Sequence, residues 1–387
     1  MMNQTAVTKD EPIQILDKLV KMSPKIKERA KEMESLRRIP DDLFQELKNA
    51  GLFRSLVPKS YGGSGHDLIV AMKILETLAE ADGAIAWTMM IGIESPELLS
   101  LLPRETFDQI YAAGPDVTVG GAFYGDGKAE KVAGGYQVSG RWGFVSGCQL
   151  WDYLFVNCPV VENGQVKEGP DSSLAMLLPA HQVTIEDTWH TMGLRATGSH
   201  HITVDNVFVP ENYAFNIRMG RPCIPDIYKY PFILWAFHIT SIAIGVAQGA
   251  LNETIEIVKT KQRRSMRTTL GQTPLIQHRL GRCETALRAC REFLYAEAER
   301  VLAEVDELDY MGTVATIYAN DAWIAHTCAE VVTTCFNISG ASSIYENAPL
   351  QRRLRDIHTV TQHASLNDNS ITRYGRYLMG EQVDMFF

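Results

Sequence analysis

The sequence predicts a mainly α-helical protein with a β domain in its middle. Residues 10–104 carry apolar side chains at spacings of three and four, the period of an amphipathic helix. Residues 116–216 contain short β-branched and aromatic runs interrupted by Gly and Asn, a pattern typical of antiparallel strands. Long helical patterns return after Pro231. The predicted domains are a helical domain, residues 1–115, an antiparallel β domain, residues 116–225, and a helical domain, residues 226–387.

The helices predicted for the first domain have recognisable ends. The runs IQILDKLVKM, DDLFQELKNAGLF and DLIVAMKILETLAE each place apolar residues on one helical face. Pro40 and Asp41 are typical of a helix start, and Gly51 is typical of a helix stop. We therefore expect one of these helices to lie between Asp41 and Gly51.

One segment of the last domain could be mistaken for a membrane span. The residues from Phe232 to Ala250 are uncharged and close to the ~20 that a bilayer requires. The segment contains His238, Thr240 and Ser241, and small residues crowd its second half. We predict a buried bundle helix and no contact with a membrane.

Composition excludes several classes of protein. A chain of 387 residues with 45% hydrophobic content can bury a large core, and its net charge of -9 argues against a nucleic-acid partner. The N-terminal residues lack the apolar stretch of a secretory signal. The seven cysteines are odd in number and form no CxxC motif, which favours free thiols in a reducing cytoplasm over a disulfide or metal framework. We expect a cytoplasmic protein.

Five segments, in the same order along the chain, resemble the acyl-CoA dehydrogenase superfamily. They are PKSYGGSG (58–65), GGYQVSGRWGFVSG (134–147), MGLRATGSHHITVDNVFVP (192–210), RTTLG (267–271) and LRD (354–356). The resemblance covers nearly the whole chain. It implies an N-terminal helical domain, a middle β domain and a C-terminal four-helix bundle. It also implies a homotetramer that holds FAD near a subunit boundary.

A basic stretch supports a phosphate-bearing cofactor. Between Lys259 and Arg282 there is no Asp or Glu, and Arg is well suited to bind a diphosphate. A solvated bundle face or a subunit contact would explain the same charges. Within RTTLG, Arg267 matches the family arginine that reaches the cofactor diphosphate across the dimer, whereas Leu270 departs from the usual aromatic residue. The stretch contains seven basic residues: Lys259, Lys261, Arg263, Arg264, Arg267, Arg279 and Arg282.

The chain lacks the catalytic glutamate of a dehydrogenase at both positions where the superfamily places it. No carboxylate lies between Ile357 and Asn367, and the alternative position falls in the basic stretch. His363 stands at the first position instead. An imidazole with an unperturbed pKa near 6.5 can take a proton from a substrate. His358, about one turn earlier, is the alternative base, and His200 and His201 are not expected to be catalytic.

With His363 in place of the glutamate, the chain resembles the flavin-dependent monooxygenase branch of the superfamily. Those two-component enzymes receive reduced FAD or FMN from a separate NAD(P)H:flavin reductase and form a C4a-hydroperoxide with O2. Their β-domain signature matches Trp142, Phe144, Ser146 and Gly147, which we expect to bind flavin together with Phe123. The resemblance implies that Ser146 bonds near flavin N5 and O4, although Ser-Gly is also ordinary turn chemistry.

The substrate is predicted less sharply. Trp87, Met90, Ile93 and Tyr124 occupy regions that approach the flavin ring in the family, and they offer an aromatic and apolar wall. They predict hydroxylation of a phenol or an indole, such as indole or indole-3-acetate. Three alternatives stay open at this point: an N- or S-oxygenase, an acyl-CoA dehydrogenase with an atypical base, and a non-catalytic protein on the same scaffold.

Overall fold

The computed structural model describes residues 11–169, 171–218, 220–227, 230–262, 267–304 and 308–383. Its first part is helical, as predicted, and Asp41–Asn49 forms a helix that Pro40 precedes and Gly51, at φ +95°, follows. The helices of this part are α1 (Glu11–Glu28), α2 (Ala30–Leu36), α3 (Asp41–Asn49), α4 (Leu68–Ala81), α5 (Gly83–Ile93), α6 (Ser95–Leu99) and α7 (Arg104–Tyr111).

The middle part is a β domain in which most strand pairs are antiparallel. Two pairs, β1 with β4 and β2 with β4, are parallel, so the sheet is mixed rather than purely antiparallel. The β2–β3 hairpin lies between β1 and β4 in the chain and provides the crossover that parallel pairing requires. The strands are β1 (Val119–Ala122), β2 (Gly125–Val132), β3 (Gly135–Val145), β4 (Tyr153–Glu162), β5 (Gln165–Val166), β6 (Ser173–Pro179), β7 (Thr184–Glu186), β8 (His200–Pro210) and β9 (Ala214–Phe215).

The last part is a helical bundle built on three helices of 30 residues each. Two shorter helices complete it, and the first of them ends just before His363. The helices are α8 (Pro231–Thr260), α9 (Pro274–Ala303), α10 (Tyr310–Ser339), α11 (Pro349–Val360) and α12 (Asp368–Leu378).

Helix α8 contains the segment that resembles a membrane span. Phe232–Thr260 is long and apolar enough to cross a bilayer, but 89% of its most apolar window is buried inside the protein. Small residues allow this close packing. A Cβ added to Gly245 would collide with the end of α4, and one added to Gly249 would come within 2.6 Å of the Arg353 guanidinium. The segment is a bundle core helix, as predicted.

Arg353 joins α11 to the first domain. Its side chain is 1% exposed. Its guanidinium donates to the carbonyl oxygens of Ala79, at 2.8 Å, and Glu80, at 2.6 Å, which end α4. It also pairs with the Glu253 carboxylate of α8 at 2.9 Å. These bonds satisfy carbonyls that a helix end leaves without a partner.

Two neighbours of Arg353 extend this connection. The Arg352 guanidinium lies 3.3 Å from the carboxylate of Asp82, which caps α5 by accepting from the backbone nitrogens of Ala84 and Ile85. Asp356 accepts from the Leu194 backbone nitrogen at 2.7 Å and so joins α11 to the β domain. One short helix therefore contacts all three parts of the protein.

We expect Arg353→Met to lower the free energy of unfolding by about 3–5 kcal/mol, because it leaves the partly buried Glu253 carboxylate without its cation and the α4 carbonyls without their donor. Arg376→Met is the matched control. Arg376 pairs with Glu381 on the surface, where both side chains are about half exposed, and its loss should cost less than about 1 kcal/mol. Urea unfolding of the two variants measures the difference. Equal losses would show that Arg353 is not the anchor.

Candidate functional site

A cavity of about 490 Å³ lies where α5, the β domain, α8 and the end of α11 meet. Its lining includes Trp87 from α5, Glu94 at the C-terminal cap of α5, Ser146 after β3, Trp235 from α8 and His363 after α11. Trp87 and Glu94 are separated by seven residues, or ~10 Å along a helix. The cavity thus has a polar end around Ser146 and His363 and an aromatic end around Glu94 and Trp235.

The polar end contains a continuous series of hydrogen bonds. The indole nitrogen of Trp87 donates to Ser146 Oγ at 3.1 Å, and Ser146 Oγ lies 2.8 Å from Ser199 Oγ. Ser199 Oγ lies 2.7 Å from Thr197 Oγ1, which donates to the Leu194 carbonyl at 2.9 Å. The three hydroxyl-bearing residues are at most 8% exposed.

The two ends of this series determine the direction of every bond in it. The Leu194 carbonyl can only accept, so Thr197 donates to it and must accept from Ser199. Ser199 then has no hydrogen left for Ser146, and Ser146 must donate to Ser199. The Ser146 hydroxyl therefore offers the cavity one lone pair and no hydrogen. It can accept from an N–H group, such as N5–H of a reduced flavin, and has no hydrogen left to donate to a carbonyl such as flavin O4.

His363 lies at the same end of the cavity. Its ring centre is 5.5 Å from that of Trp87, in an edge-to-face arrangement. Its Nδ1 lies 2.6 Å from Ser365 Oγ and accepts from the Ser365 backbone nitrogen at 3.4 Å, so the side chain caps the turn Ala364–Leu366. The turn orients the ring towards the cavity.

The pKa of His363 is lower than the value near neutrality that we expected from the sequence. Burial lowers the pKa of His363 to about 4, so the imidazole is neutral at pH 7. A neutral imidazole nitrogen that accepts a hydrogen bond carries no hydrogen, which places the ring hydrogen on Nε2. Nε2 can take a proton from a substrate only in the other tautomer, in which the ring hydrogen is on Nδ1. In that tautomer Nδ1–H can donate to Ser365 Oγ.

The aromatic end of the cavity is formed by rings from three elements. Phe123 contacts Phe155 at 5.3 Å between ring centres, and Phe232 and Trp235 each at 5.9 Å. Among the described residues that line the cavity, Glu94 is the one carboxylate, and none is Lys or Arg. This end accommodates a flat apolar ring.

Several residues predicted for the site line the cavity. They are Trp87, Met90, Phe123, Tyr124, Phe144, Ser146 and His363. Phe144 has φ +60° and an exposed fraction of 75%, and it lies in a β-bulge where two residues of β3 oppose one residue of β8. A bulge redirects a side chain in this way, and here it turns the Phe144 ring towards the cavity and Trp189.

Two residues predicted to bind flavin do not reach the cavity. Trp142 is fully buried in the β domain, where its indole nitrogen donates to the Asn157 carbonyl at 3.0 Å. Gly125 and Gly127 leave room for its ring there. Gly147, at φ +67°, turns the chain after Ser146 and packs on Trp151 without lining the cavity. Both residues shape the signature segment, and neither lines the cavity.

Three further predicted residues lie elsewhere. Ile93 is fully buried but does not line the cavity. It lies six residues after Trp87, which places its side chain about 120° around the helix axis from that of Trp87. His358 points to α10, where its Nε2 lies 3.5 Å from Thr333 Oγ1. Arg267 is exposed and lines no part of this cavity. Arg263 and Arg264 lie outside the described residues.

Sequence reasoning missed Thr197, Ser199 and Glu94. Thr197 and Ser199 belong to the segment RATGSH, whose resemblance was noted, but nothing in one sequence shows that these hydroxyls meet Ser146. Glu94 could have been found from the helical period, since it lies seven residues after Trp87 and so on the same face of α5.

The residues of the polar end fit a reduced flavin. An isoalloxazine ring needs flat apolar walls and partners for its N–H and carbonyl groups. The exposed ring of Phe144 and the buried ring of Trp189, 6.2 Å apart between centres, both line the cavity and supply aromatic surface. The lone pair of Ser146 is a suitable acceptor for an N–H group, and it remains after Trp87 and Ser199 take their bonds.

Comparison with known proteins identifies relatives over the whole chain. Residues 19–98 and 237–368 match the N-terminal and C-terminal domains of acyl-CoA dehydrogenases. The chain is 32% identical to an indole-3-acetate monooxygenase of Pseudomonas putida, with 92% of each protein covered. It is 27% identical to HsaA of Rhodococcus jostii, the oxygenase subunit of a flavin-dependent monooxygenase, with 90% of this chain and 94% of the relative covered. The structure of Streptomyces XiaF with FADH2 and glycerol has a TM-score of 0.88 at 24% identity, covering 96% of each chain.

The lowered pKa of His363 predicts a pH dependence of stability. In the unfolded chain His363 has an ordinary pKa near 6.5 and binds a proton below that pH. In the folded chain its pKa is about 4, so it binds the proton only near pH 4. The stabilisation is fully present above about pH 6.5, and we expect it to be lost as the pH falls towards 4. His363→Gln should lose less stability than the wild type over this interval. Urea unfolding midpoints at about pH 7.5 and pH 5 test this, and an equal pH dependence in both proteins would contradict it.

Proposed function

The chain belongs to the acyl-CoA dehydrogenase superfamily and, within it, to the flavin-dependent monooxygenases, and from this premise we propose its reaction. It is the oxygenase component of a two-component system, and it hydroxylates a phenol or an indole with O2 and reduced FAD or FMN. When bound, the reduced flavin supplies the electrons that activate oxygen. The residues of the cavity must therefore bind the flavin, orient an aromatic substrate, exclude water and move one proton.

One observation supports this proposal most strongly: Ser146, which can accept from a flavin N–H, and His363 lie at the same end of the cavity. Ser146 and His363 both contact the ring of Trp87, through its nitrogen and its edge respectively. The carboxylate that a dehydrogenase would need is absent from the polar end of the described lining, since Glu94, the one lining carboxylate, lies seven residues and ~10 Å from Trp87 at the far end of the cavity. This arrangement favours oxygenation over removal of an α proton.

We assign the substrate proton to His363. A phenol becomes more nucleophilic when it loses its O–H proton, and an indole when it loses its N–H proton; a neutral imidazole can accept that proton at Nε2. Ser365 Oγ can stabilise the tautomer that leaves Nε2 free, since it lies 2.6 Å from Nδ1. A ring with a pKa near 4 then releases the proton readily to solvent after each turnover.

The reduced flavin comes from a separate NAD(P)H:flavin reductase, and we propose that the oxygenase works as a cytoplasmic homotetramer. Its seven cysteines are free thiols, as expected in a reducing compartment. Arg267 is exposed and remote from the cavity of its own chain. An arginine that binds the flavin diphosphate of a neighbouring subunit must be accessible in this way.

The assignment of the base is tested with His363→Ala and its matched control, His358→Ala. We expect His363→Ala to bind reduced flavin like the wild type but to hydroxylate about 10²- to 10⁴-fold more slowly, the usual effect of losing a general base. His358→Ala should stay close to the wild-type rate, because His358 faces α10. Product is measured by chromatography with chemically reduced flavin, oxygen and a panel of phenols and indoles.

Each outcome of this experiment has a clear meaning. Slow hydroxylation by His358→Ala together with a wild-type rate for His363→Ala would move the base to His358. If the wild type forms no hydroxylated product from any phenol or indole, although it binds reduced flavin, the proposed reaction is wrong.

Ser146→Ala should uncouple oxygen consumption from hydroxylation. Its loss removes a preorganised hydrogen bond worth about 1–3 kcal/mol in a site with little water. We expect more hydrogen peroxide released per NADH that the reductase oxidises, and less hydroxylated product. Ser139→Ala, in the strand β3 that precedes Ser146 but bonded to the Asn206 backbone, is the control. Unchanged coupling in Ser146→Ala would remove Ser146 from the mechanism.

A further inference from the structure

A second buried polar group lies at the aromatic end of the cavity. The Glu94 carboxyl lines the cavity, and its Oε1 is 2.8 Å from Nδ1 of His238 on α8. The His238 side chain is 0% exposed, and its Nε2 has no hydrogen-bond partner in the structure. Among the described residues, no hydrogen bond involves Glu94 Oε2. The base and flavin sites at the other end do not use this pair.

The unpartnered Nε2 of His238 indicates where the hydrogen of the imidazole lies. A buried N–H without an acceptor is costly, so the hydrogen is on Nδ1, which donates to Glu94 Oε1. Burial raises the pKa of Glu94 well above its ordinary value and lowers the pKa of His238. No described Lys or Arg lines the cavity beside Glu94, and a carboxyl buried without a cation favours its protonated form. In that form its Oε1 accepts from His238, and its Oε2–H can donate to a ligand in the cavity.

The other polar groups near Glu94 already have partners. Glu97, one turn further, accepts from the Trp235 indole nitrogen at 2.7 Å and does not line the cavity, and burial raises the pKa of its carboxyl to about 8. The Tyr318 hydroxyl donates to the Phe232 carbonyl at 3.2 Å. Ser95 Oγ donates to the Gly92 carbonyl and accepts from the Val119 nitrogen. Glu94 is left as the group that a ligand meets at this end.

The charge of the surroundings limits what the ligand can carry there. The described lining contains no Lys or Arg. The ionisable groups that line this end are the Glu94 carboxyl and the Tyr318 phenol, and the Glu97 carboxyl and the His238 imidazole are buried next to them. A ligand carboxylate would lose its hydration without gaining a cation, which costs more than burying a neutral group that is hydrogen-bonded. A hydroxyl, carbonyl or amide avoids this cost and still accepts from Glu94.

We propose that Glu94, oriented by His238, selects the substrate: an aromatic compound whose end remote from Ser146 carries a neutral hydrogen-bond acceptor rather than a carboxylate. This inference rests on the proposed function, and it narrows the phenols and indoles considered there. Glu94 is a specificity-determining residue that acts on binding and takes no part in the chemistry at His363.

A pair of ligands of the same shape tests the proposal. Indole-3-acetamide and indole-3-acetate differ in charge and little in size. Isothermal titration calorimetry on the whole protein with reduced flavin, without oxygen, measures both affinities. We expect the wild type to bind the amide at least about tenfold more tightly. In Glu94→Leu the amide should lose about five- to tenfold in affinity, the effect of one hydrogen bond, and the preference should fall below about threefold.

Two conservative variants serve as controls. Glu94→Gln keeps a hydrogen-bond donor at the same place, so its affinity for the amide should stay within about threefold of the wild type. Glu97→Gln changes the neighbouring buried acid, which does not line the cavity, and should leave the preference unchanged. Reduced-flavin binding by each variant shows that it is folded.

The results separate the two proposals. Tighter binding of the acetate than of the amide by the wild type would overturn the inference without any variant. A preference that survives in Glu94→Leu, or that disappears in Glu97→Gln, would show that Glu94 is not the selecting residue. Failure of the wild type to bind reduced flavin would instead contradict the proposed function, whichever ligand it prefers.

Discussion

The buried guanidinium of Arg353 is the interaction on which the rest of the site depends. It holds α11 against the end of α4 and against Glu253 of α8. With α11 in this position, Arg352 reaches the residue that caps α5, and Asp356 reaches the Leu194 backbone. The same helix ends three residues before His363. The Trp87 helix, the hydroxyl series that ends at Leu194, and the histidine are thus all positioned from one helix.

The direction of the hydrogen bonds, more than charge, determines what this site can bind. Ser146 can only accept from a ligand, because the Leu194 carbonyl orders the hydroxyls behind it and the Ser146 hydrogen is donated to Ser199. His363 is neutral because burial lowers its pKa to about 4. Burial acts on Glu94 in the opposite sense and favours the protonated acid. A cavity of neutral groups suits an apolar aromatic substrate, because no unpaired charge has to be buried when it binds.

The comparison of prediction with structure shows which kinds of signal a single sequence carries. Periodicity predicted α3, α4 and the bundle core helix, because each buries a continuous apolar face. The absence of the catalytic glutamate and the presence of His363 could be predicted, because both are read from the residue at one position of the sequence. Trp142 was wrongly expected to bind flavin: alternation along β3 cannot reveal the bulge that turns Phe144, rather than Trp142, towards the cavity.

The sequence by itself determined the order of helical and β domains, the family, the histidine in place of an acid and the serine that we assign to the flavin. Those features are local, since each is written in neighbouring residues or in a repeating period. Only the tertiary structure decided that His363 rather than His358 lines the cavity, that Ser146 accepts rather than donates, and that Glu94 meets His238. These are contacts between residues up to 144 positions apart, and their geometry arises from packing that no local pattern encodes.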